Sequence, residues 1–273
     1  MEKNSIVLNG KKISYIEEGS GHAPTVLLLH GVPESSLLWK KIIPVIVSCG
    51  FSVIAPDLPG FGQSDPFDEP STWERYEQFI SDFTSEMKMD KFHLVVHDWG
   101  GLIGLKWACD FPEKILSLVI SNTTISDGYQ WHRLAQIWRT PGAGEEIMKR
   151  MSDWSQFQSG MKKSIPNVDD ETLNDFFQVF RTAESSRVVL ELYRSGNLEK
   201  VKTYNAKLTQ MDQPVTIIWG EKDPYVPFEF ALKLQNECLP HAKVHIIPNA
   251  GHFIQIEVPN EVNLYIQQHF KNT

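Results

Sequence analysis

Leu94-Val95-Val96-His97-Asp98-Trp99-Gly100-Gly101-Leu102-Ile103-Gly104-Leu105 changes character at its middle. The residues before Asp98 form a continuous apolar run, the pattern of a strand covered on both faces. Those after it read as a helix in which Gly100, Gly101 and Gly104 permit close approach to the strand. One residue is left on the bend between them, and a side chain on so tight a strand-to-helix turn is exposed at the end of the sheet, where an attacking group can be presented. Asp is also a preferred helix N-cap. The other turns of the chain must decide between the two roles.

Outward from this bend, further continuous apolar runs occur at Thr25-Val26-Leu27-Leu28-Leu29, Ser52-Val53-Ile54-Ala55, Leu116-Ser117-Leu118-Val119-Ile120, Val215-Thr216-Ile217-Ile218-Trp219 and Lys243-Val244-His245-Ile246-Ile247. Segments of helical length lie between them, at roughly 35–48, 73–88, 99–110, 226–237 and 258–270. This alternation predicts an α/β fold with a doubly wound, mostly parallel sheet, whose ligands bind beyond the carboxyl ends of the strands. Ahead of it, Ile6 to Ile16 reads as a hairpin turned at Asn9-Gly10, on a sheet edge. The stretch 125–210 has no strand pattern. It carries Trp131, Trp138, Trp154, Phe157, Phe176, Phe177, Phe180 and Tyr193 among helix-forming residues. It is expected to form a helical cap domain, inserted after the sixth strand of a main domain made of 1–124 and 211–273.

The chain has 273 residues, with 26 Lys and Arg against 34 Asp and Glu, a formal net charge of −8. No block of basic residues exists to track phosphates, so nucleic acid is not an expected partner. Cys49, Cys109 and Cys238 are widely spaced and have no metal-ligand pattern, so they read as reduced thiols in a cytoplasmic protein. The short apolar run Ile6-Val7-Leu8 does not reach the length of a signal peptide or a membrane span. Neither metal nor cofactor is expected, and a monomer or homodimer is.

Three more turns converge on Asp98. His30-Gly31-Val32 follows the strand at 25–29, and the backbone N–H groups of Val32 and Trp99 would together form an oxyanion hole. His30 itself is either a pocket residue or a hydrogen-bonding partner of nearby backbone. Asp223, in Trp219-Gly220-Glu221-Lys222-Asp223-Pro224, and His252, in Asn249-Ala250-Gly251-His252, follow the last two strands. A carboxylate accepting from one imidazole nitrogen fixes the tautomer of the ring and stabilises its charged form. The chain order is then nucleophile, acid, base. Ser121-Asn122-Thr123-Thr124, after the sixth strand, holds no alternative acid, and Asp127 is only a distant substitute.

His30-Gly31-Val32-Pro33, Asp57-Leu58-Pro59-Gly60-Phe61-Gly62-Gln63-Ser64, His97-Asp98-Trp99-Gly100-Gly101, Trp219 to Asp223 and Gly251-His252-Phe253 resemble the haloalkane dehalogenase and epoxide hydrolase branch of the α/β-hydrolase superfamily. The resemblance spans the main domain and is weaker in the cap. It implies catalysis by Asp98, His252 and Asp223. A carboxylate nucleophile suits saturated carbon, where attack gives an alkyl ester that water activated by His252 can cleave. An esterase would be expected to carry Ser or Cys at 98, and a ligand-binding relative would lack a triad member.

A halide leaving group needs N–H donors, and the resemblance implies Trp99 as one of them. Val32 stands where the dehalogenases carry a polar second donor, so Trp154 is the candidate for that role, with Trp131 and Trp138 behind it. An epoxide oxygen needs an acid, and Tyr193 could protonate it. The fluoroacetate variant carries arginine where Trp99 stands. The expected reaction is therefore dehalogenase-like, with epoxide hydrolysis as the alternative, on a small apolar substrate.

Overall fold

Asn9 and Gly10, both at positive φ (51° and 77°), close the two-residue turn between β1 (Asn4–Leu8) and β2 (Lys11–Glu18). In the computed structural model, which describes residues 1–21, 23–123 and 128–273, this hairpin is one edge of an eight-stranded sheet. The remaining strands are β3 (Thr25–Leu29), β4 (Ser52–Pro56), β5 (Phe92–His97), β6 (Ile115–Ser121), β7 (Val215–Gly220) and β8 (Lys243–Ile247). They run in the order β1-β2-β4-β3-β5-β6-β7-β8. β1, β2 and β4 pair antiparallel and every later pairing is parallel. Every residue of β4, β5 and β7 is buried, as a strand covered on both faces requires.

The strand order reverses around β3, which lies between β4 and β5. A crevice opens beyond the carboxyl ends of strands at such a switch point. His30 to Val32 and Asp98 stand there, at the ends of β3 and β5.

The helices are α1 (Ile43–Ser48), α2 (Trp73–Glu86), α3 (Asp98–Asp110), α4 (Arg133–Arg139), α5 (Ala143–Met151), α6 (Trp154–Ser164), α7 (Asp170–Phe176), α8 (Ala183–Ser195), α9 (Val201–Leu208), α10 (Glu229–Glu237), α11 (Ile254–Glu257) and α12 (Pro259–Phe270). α1 packs on β4 and on α12, while α2 packs on α3, which lies along β3, β5 and β6. The single helix expected at 35–48 is instead a 3-10 turn, Ser36–Trp39, followed by α1. Three hydrogen bonds explain the break. The Ser35 hydroxyl accepts the Leu37 N–H, and the Ser36 N–H and hydroxyl both donate to Asp57 Oδ1. Pro44, which has no N–H to give, then fits only in the first turn of a new helix.

A helical cap follows the sixth strand, with α4 to α9 lying between β6 and β7. Its helices are short and are started by side chains: His132, Asp153, Asp169 and Thr182 each accept a first-turn N–H. α4, α5 and α8 pack on one another, α7 rests on the 3-10 turn after β3, and α9 lies on α3 of the main sheet layer. The expected boundary at 124/125 and the residue Asp127 fall outside the described residues. Among the described residues no helix is long and apolar enough to cross a membrane.

Candidate active site

β5 delivers Asp98 to the crevice at φ +48°, a left-handed conformation rare for a residue with a side chain. The bend is held from outside. Thr123 Oγ1 donates to the Asp98 carbonyl at 2.6 Å, and Gly100 lets α3 approach the end of β3 so closely that a Cβ there would lie 2.4 Å from the carbonyl oxygens of Leu29 and His30. Gly31 does the same for the carboxylate: a Cβ at 31 would meet Asp98 Oδ1 at 2.2 Å. With that space free, the Val32 N–H donates to Asp98 Oδ1 at 2.9 Å. Trp99 follows at the start of α3, where backbone N–H groups have no partner within the helix.

The other oxygen, Asp98 Oδ2, lies 3.5 Å from His252 Nε2. His252 Nδ1 donates to Asp223 Oδ2 at 2.8 Å. Asp223 is fixed in turn by the Asn122 side-chain amide (2.8 Å) and by the N–H groups of Tyr225 (2.8 Å) and Val226 (3.0 Å). Burial works against the Asp98 carboxylate, but the bond and charge of His252, the nearby His97 and the Val32 N–H hold its pKa below the usual carboxylate value. Burial also works against a charged His252, yet Asp223 and Asp98 hold its pKa well above the usual imidazole value.

Beneath this array Glu34 Oε1 lies 3.3 Å from His97 Nε2, both residues fully buried, and the His97 ring is 4.7 Å from that of His252. Glu34, His97 and His252 bring three ligating atoms within 4.8 Å of one another. Since His252 already faces Asp223 and Asp98 through its two nitrogens, Glu34 and His97 are left to face each other.

Two small adjoining cavities meet at Asp98. Trp99, Tyr129 and Trp131 line the first, Val32, Trp138, Tyr225 and His252 the second, and His132 and Tyr193 line both. Trp99 stacks on Trp131 with centroids 5.7 Å apart and meets Tyr193 edge-on at 5.1 Å. Burial raises the Tyr193 pKa well above the usual phenol value, the Asp98 and Tyr129 side chains add to it, and a hydrogen bond with the Trp99 side chain opposes it.

Two expected pocket residues stand elsewhere. Trp154 packs on Phe157 and Phe177 in the cap and lines neither cavity. Aromatic content locates the cap but does not tell which ring turns inward. His30 is wholly buried, with Nδ1–H donating to the Gly31 carbonyl (2.8 Å) and Nε2 accepting the Leu58 N–H (2.9 Å), so it ties the turns after β3 and β4 together. Conversely, His132, Tyr225 and the Glu34–His97 pair were not singled out by the sequence. His132 had one usable signal, its place just before a helical run.

A family model described as alpha/beta hydrolase fold matches residues 24–141 and 143–259. A haloalkane dehalogenase of Psychrobacter cryohalolentis is 27% identical over 253 residues, 89% of this chain and 82% of that protein. Epoxide hydrolase 3 of Mus musculus is 25% identical over 279 residues, 94% of this chain and 73% of that protein. Among solved structures, haloalkane dehalogenase DbeA from Bradyrhizobium elkani USDA94 superposes with a TM-score of 0.86 at 24% identity, covering 99% of this chain and 98% of that one.

Proposed function

Because the chain belongs to the alpha/beta hydrolase fold family, we propose that it hydrolyses a bond at saturated carbon through a covalent ester on Asp98. The observation that carries this reading is the pair of contacts on one carboxylate: Oδ1 on the Val32 N–H, and Oδ2 beside a His252 whose far nitrogen is anchored on Asp223. Oδ2 attacks the carbon and the leaving group departs. Oδ1 becomes the carbonyl oxygen of the ester, already seated on the donor that stabilises a tetrahedral oxyanion. Esterification removes the Asp98 charge, one of the two that keep His252 protonated, so the ring becomes available as a base for water. Attack of that water on the ester carbonyl carbon breaks its bond to the alkyl oxygen and restores Asp98.

The geometry favours an oxygen leaving group, hence an epoxide. Tyr193, a residue able to donate a proton, lines both cavities, whereas Trp154, expected to complete a pair of halide donors, is packed away from them. Haloalkane hydrolysis is the second reading. It is favoured by Trp138, which lines the second cavity and whose indole Nε1–H is buried without a hydrogen-bond partner. The aromatic walls suit a small apolar substrate. The free thiols Cys49, Cys109 and Cys238 suit a reducing cytoplasm.

The test is rapid-quench mass spectrometry of His252→Phe, which should form the ester and fail to clear it. Incubation with styrene oxide should leave an adduct on the peptide containing Asp98, and incubation with 1-haloalkanes gives the second reading its chance. Absence of an adduct from both would remove Asp98 as nucleophile.

A further inference from the structure

Arg139, the last residue of α4, is half-buried and lines neither cavity. Arg187 and Arg194, the arginines of α8, pair with the carboxylates of Glu191 and Glu145. Among the described residues Arg139 has no carboxylate partner. Its Nη1 donates instead to the carbonyls of Tyr193 and of Gly196, the latter at 2.9 Å, and its guanidinium carbon lies 4.9 Å from the centre of the Trp131 ring. The two carbonyls belong to the end of α8, where a helix has acceptors to spare and its dipole favours a cation. Trp is the aromatic side chain that holds a cation best.

What this one side chain grips is the aromatic wall beside the nucleophile. Trp131 lies on Trp99, the residue after Asp98, with ring planes 18° apart, and Tyr193 meets both rings, at 5.1 Å from Trp99 and 5.7 Å from Trp131. Trp131 precedes α4 in a stretch without helix or strand, so its place depends on what its ring touches. Gly196 closes the group from the end of α8. A Cβ there would lie 2.8 Å from Trp131 Cζ2 and 3.1 Å from Trp99 Cη2, so the backbone that accepts from Arg139 also presses directly on the two indoles.

We propose that Arg139 is a positioning residue of this site: by holding the end of α8 and the ring of Trp131 together it fixes the Trp99–Trp131 pair and Tyr193 in one arrangement before substrate enters, and so sets the affinity for the substrate's apolar body. A wall ordered beforehand spares binding the cost of ordering it. His252 and Asp223 are held by Asn122, Tyr225 and Val226, none of which Arg139 contacts, so the hydrolytic half of the cycle does not depend on it. The kinetic measure of the proposal rests on Asp98 being the nucleophile; the spectroscopic one rests on the indole pair alone.

Arg139→Met tests this, because it keeps an apolar stem while removing the donors and the charge. Two indoles stacked this closely couple their electronic transitions and give a couplet in circular dichroism, and the share lost in Trp131→Phe defines the contribution of the pair. Arg139→Met should lose most of that share. In the His252→Phe background, the concentration of styrene oxide or 1-bromobutane that half-saturates Asp98 alkylation should rise about tenfold, the scale of a lost charge-assisted hydrogen bond. The maximal alkylation rate should change by less than about threefold, the pattern of lost binding rather than lost chemistry. With His252 present, decay of a preformed ester should be unchanged. Arg139→Lys, a point charge that cannot lie flat on a ring and reach two carbonyls, should recover only part of both signals.

An undiminished couplet in Arg139→Met overturns the proposal. So does an unchanged half-saturation, or a slowed ester decay. A lower melting temperature with both signals intact also overturns it, since Arg139 would then be a cap for α8 and nothing more. If neither reactant labels the His252→Phe parent, Asp98 falls as the nucleophile, and the couplet alone decides the role of Arg139.

Discussion

Burial alone would raise the carboxyl of Asp98 and lower the imidazole of His252, yet each is moved the other way by its partner. The sign has a kinetic consequence. A carboxylate held below its usual range is already ionised at mildly acid pH, so the alkylation step should be flat from about pH 5 upward. In the proposed mechanism the hydrolytic step needs neutral His252 and should rise with pH, but with an apparent pKa below that of the resting enzyme, because the ester would have lost the Asp98 charge. Single-turnover ester decay across pH, set against an NMR titration of the imidazole in the resting enzyme, measures both. Equal pKa values would mean that the two groups are not coupled as the 3.5 Å contact implies. Asp98, Asp223 and His252 were legible in the sequence because each stands in the turn after an apolar strand, and the sheet brings those turns together. His132 was not, because its cap uses a nitrogen where Ser, Thr, Asp and Asn use oxygen. Trp154 was misplaced because short cap helices carry apolar residues on several faces.

Elements carry the site through close contacts whose limits are steric. α3 can enter the crevice only because position 100 has no side chain, and the atoms a methyl would strike there are backbone carbonyls that cannot swing aside. Gly100→Ala should therefore cost about 1–3 kcal/mol, the range for overpacking, and lower the melting temperature by several degrees; an unchanged transition in calorimetry would show that the helix has room. On the other side of the same strands a polar chain crosses the sheet. His93 on β5 contacts Ser117 on β6 (2.7 Å), which contacts His269 of α12 (2.7 Å), which contacts Thr216 on β7 (2.9 Å). Burial pushes both imidazoles down to about 4. The unfolded chain then takes up protons between about pH 6.5 and 4 that the folded chain refuses, so stability is full above that window and declines as pH falls through it. The urea midpoint should fall from pH 7 to pH 5, and fall less in His269→Phe. An equal fall in both would place the titrating groups elsewhere. The apolar runs announce these strands clearly, whereas the polar chain stays hidden because its members are three alternating residues and a helix end, related only by sheet register.

At the scale of the molecule, one buried cation joins three separate parts of the chain. Lys3 Nζ, 6% exposed, binds Asp57 in the turn after β4 at 2.8 Å and Asp175 on cap helix α7 at 3.0 Å. Nothing in the sequence marks Lys3, since a lysine near an N-terminus ordinarily reads as solvated and the partners lie 54 and 172 residues away. The two carboxylates are not equally provided for. Asp57 also receives the Ser36 N–H and hydroxyl and the Gln63 N–H, while Asp175 has the Ser35 hydroxyl. Breaking a buried ion pair by removing one partner typically costs about 3–5 kcal/mol, because the other charge is left stranded. Lys3→Met should lose stability on that scale, and adding Asp175→Asn should recover more of it than adding Asp57→Asn, since Asp57 keeps its other donors and their loss would cost what the removed charge returns. Chemical denaturation of the three variants decides it. Equal recovery, or none, would show that the cap is held to the sheet by its apolar packing and that the bridge merely fills a gap between them.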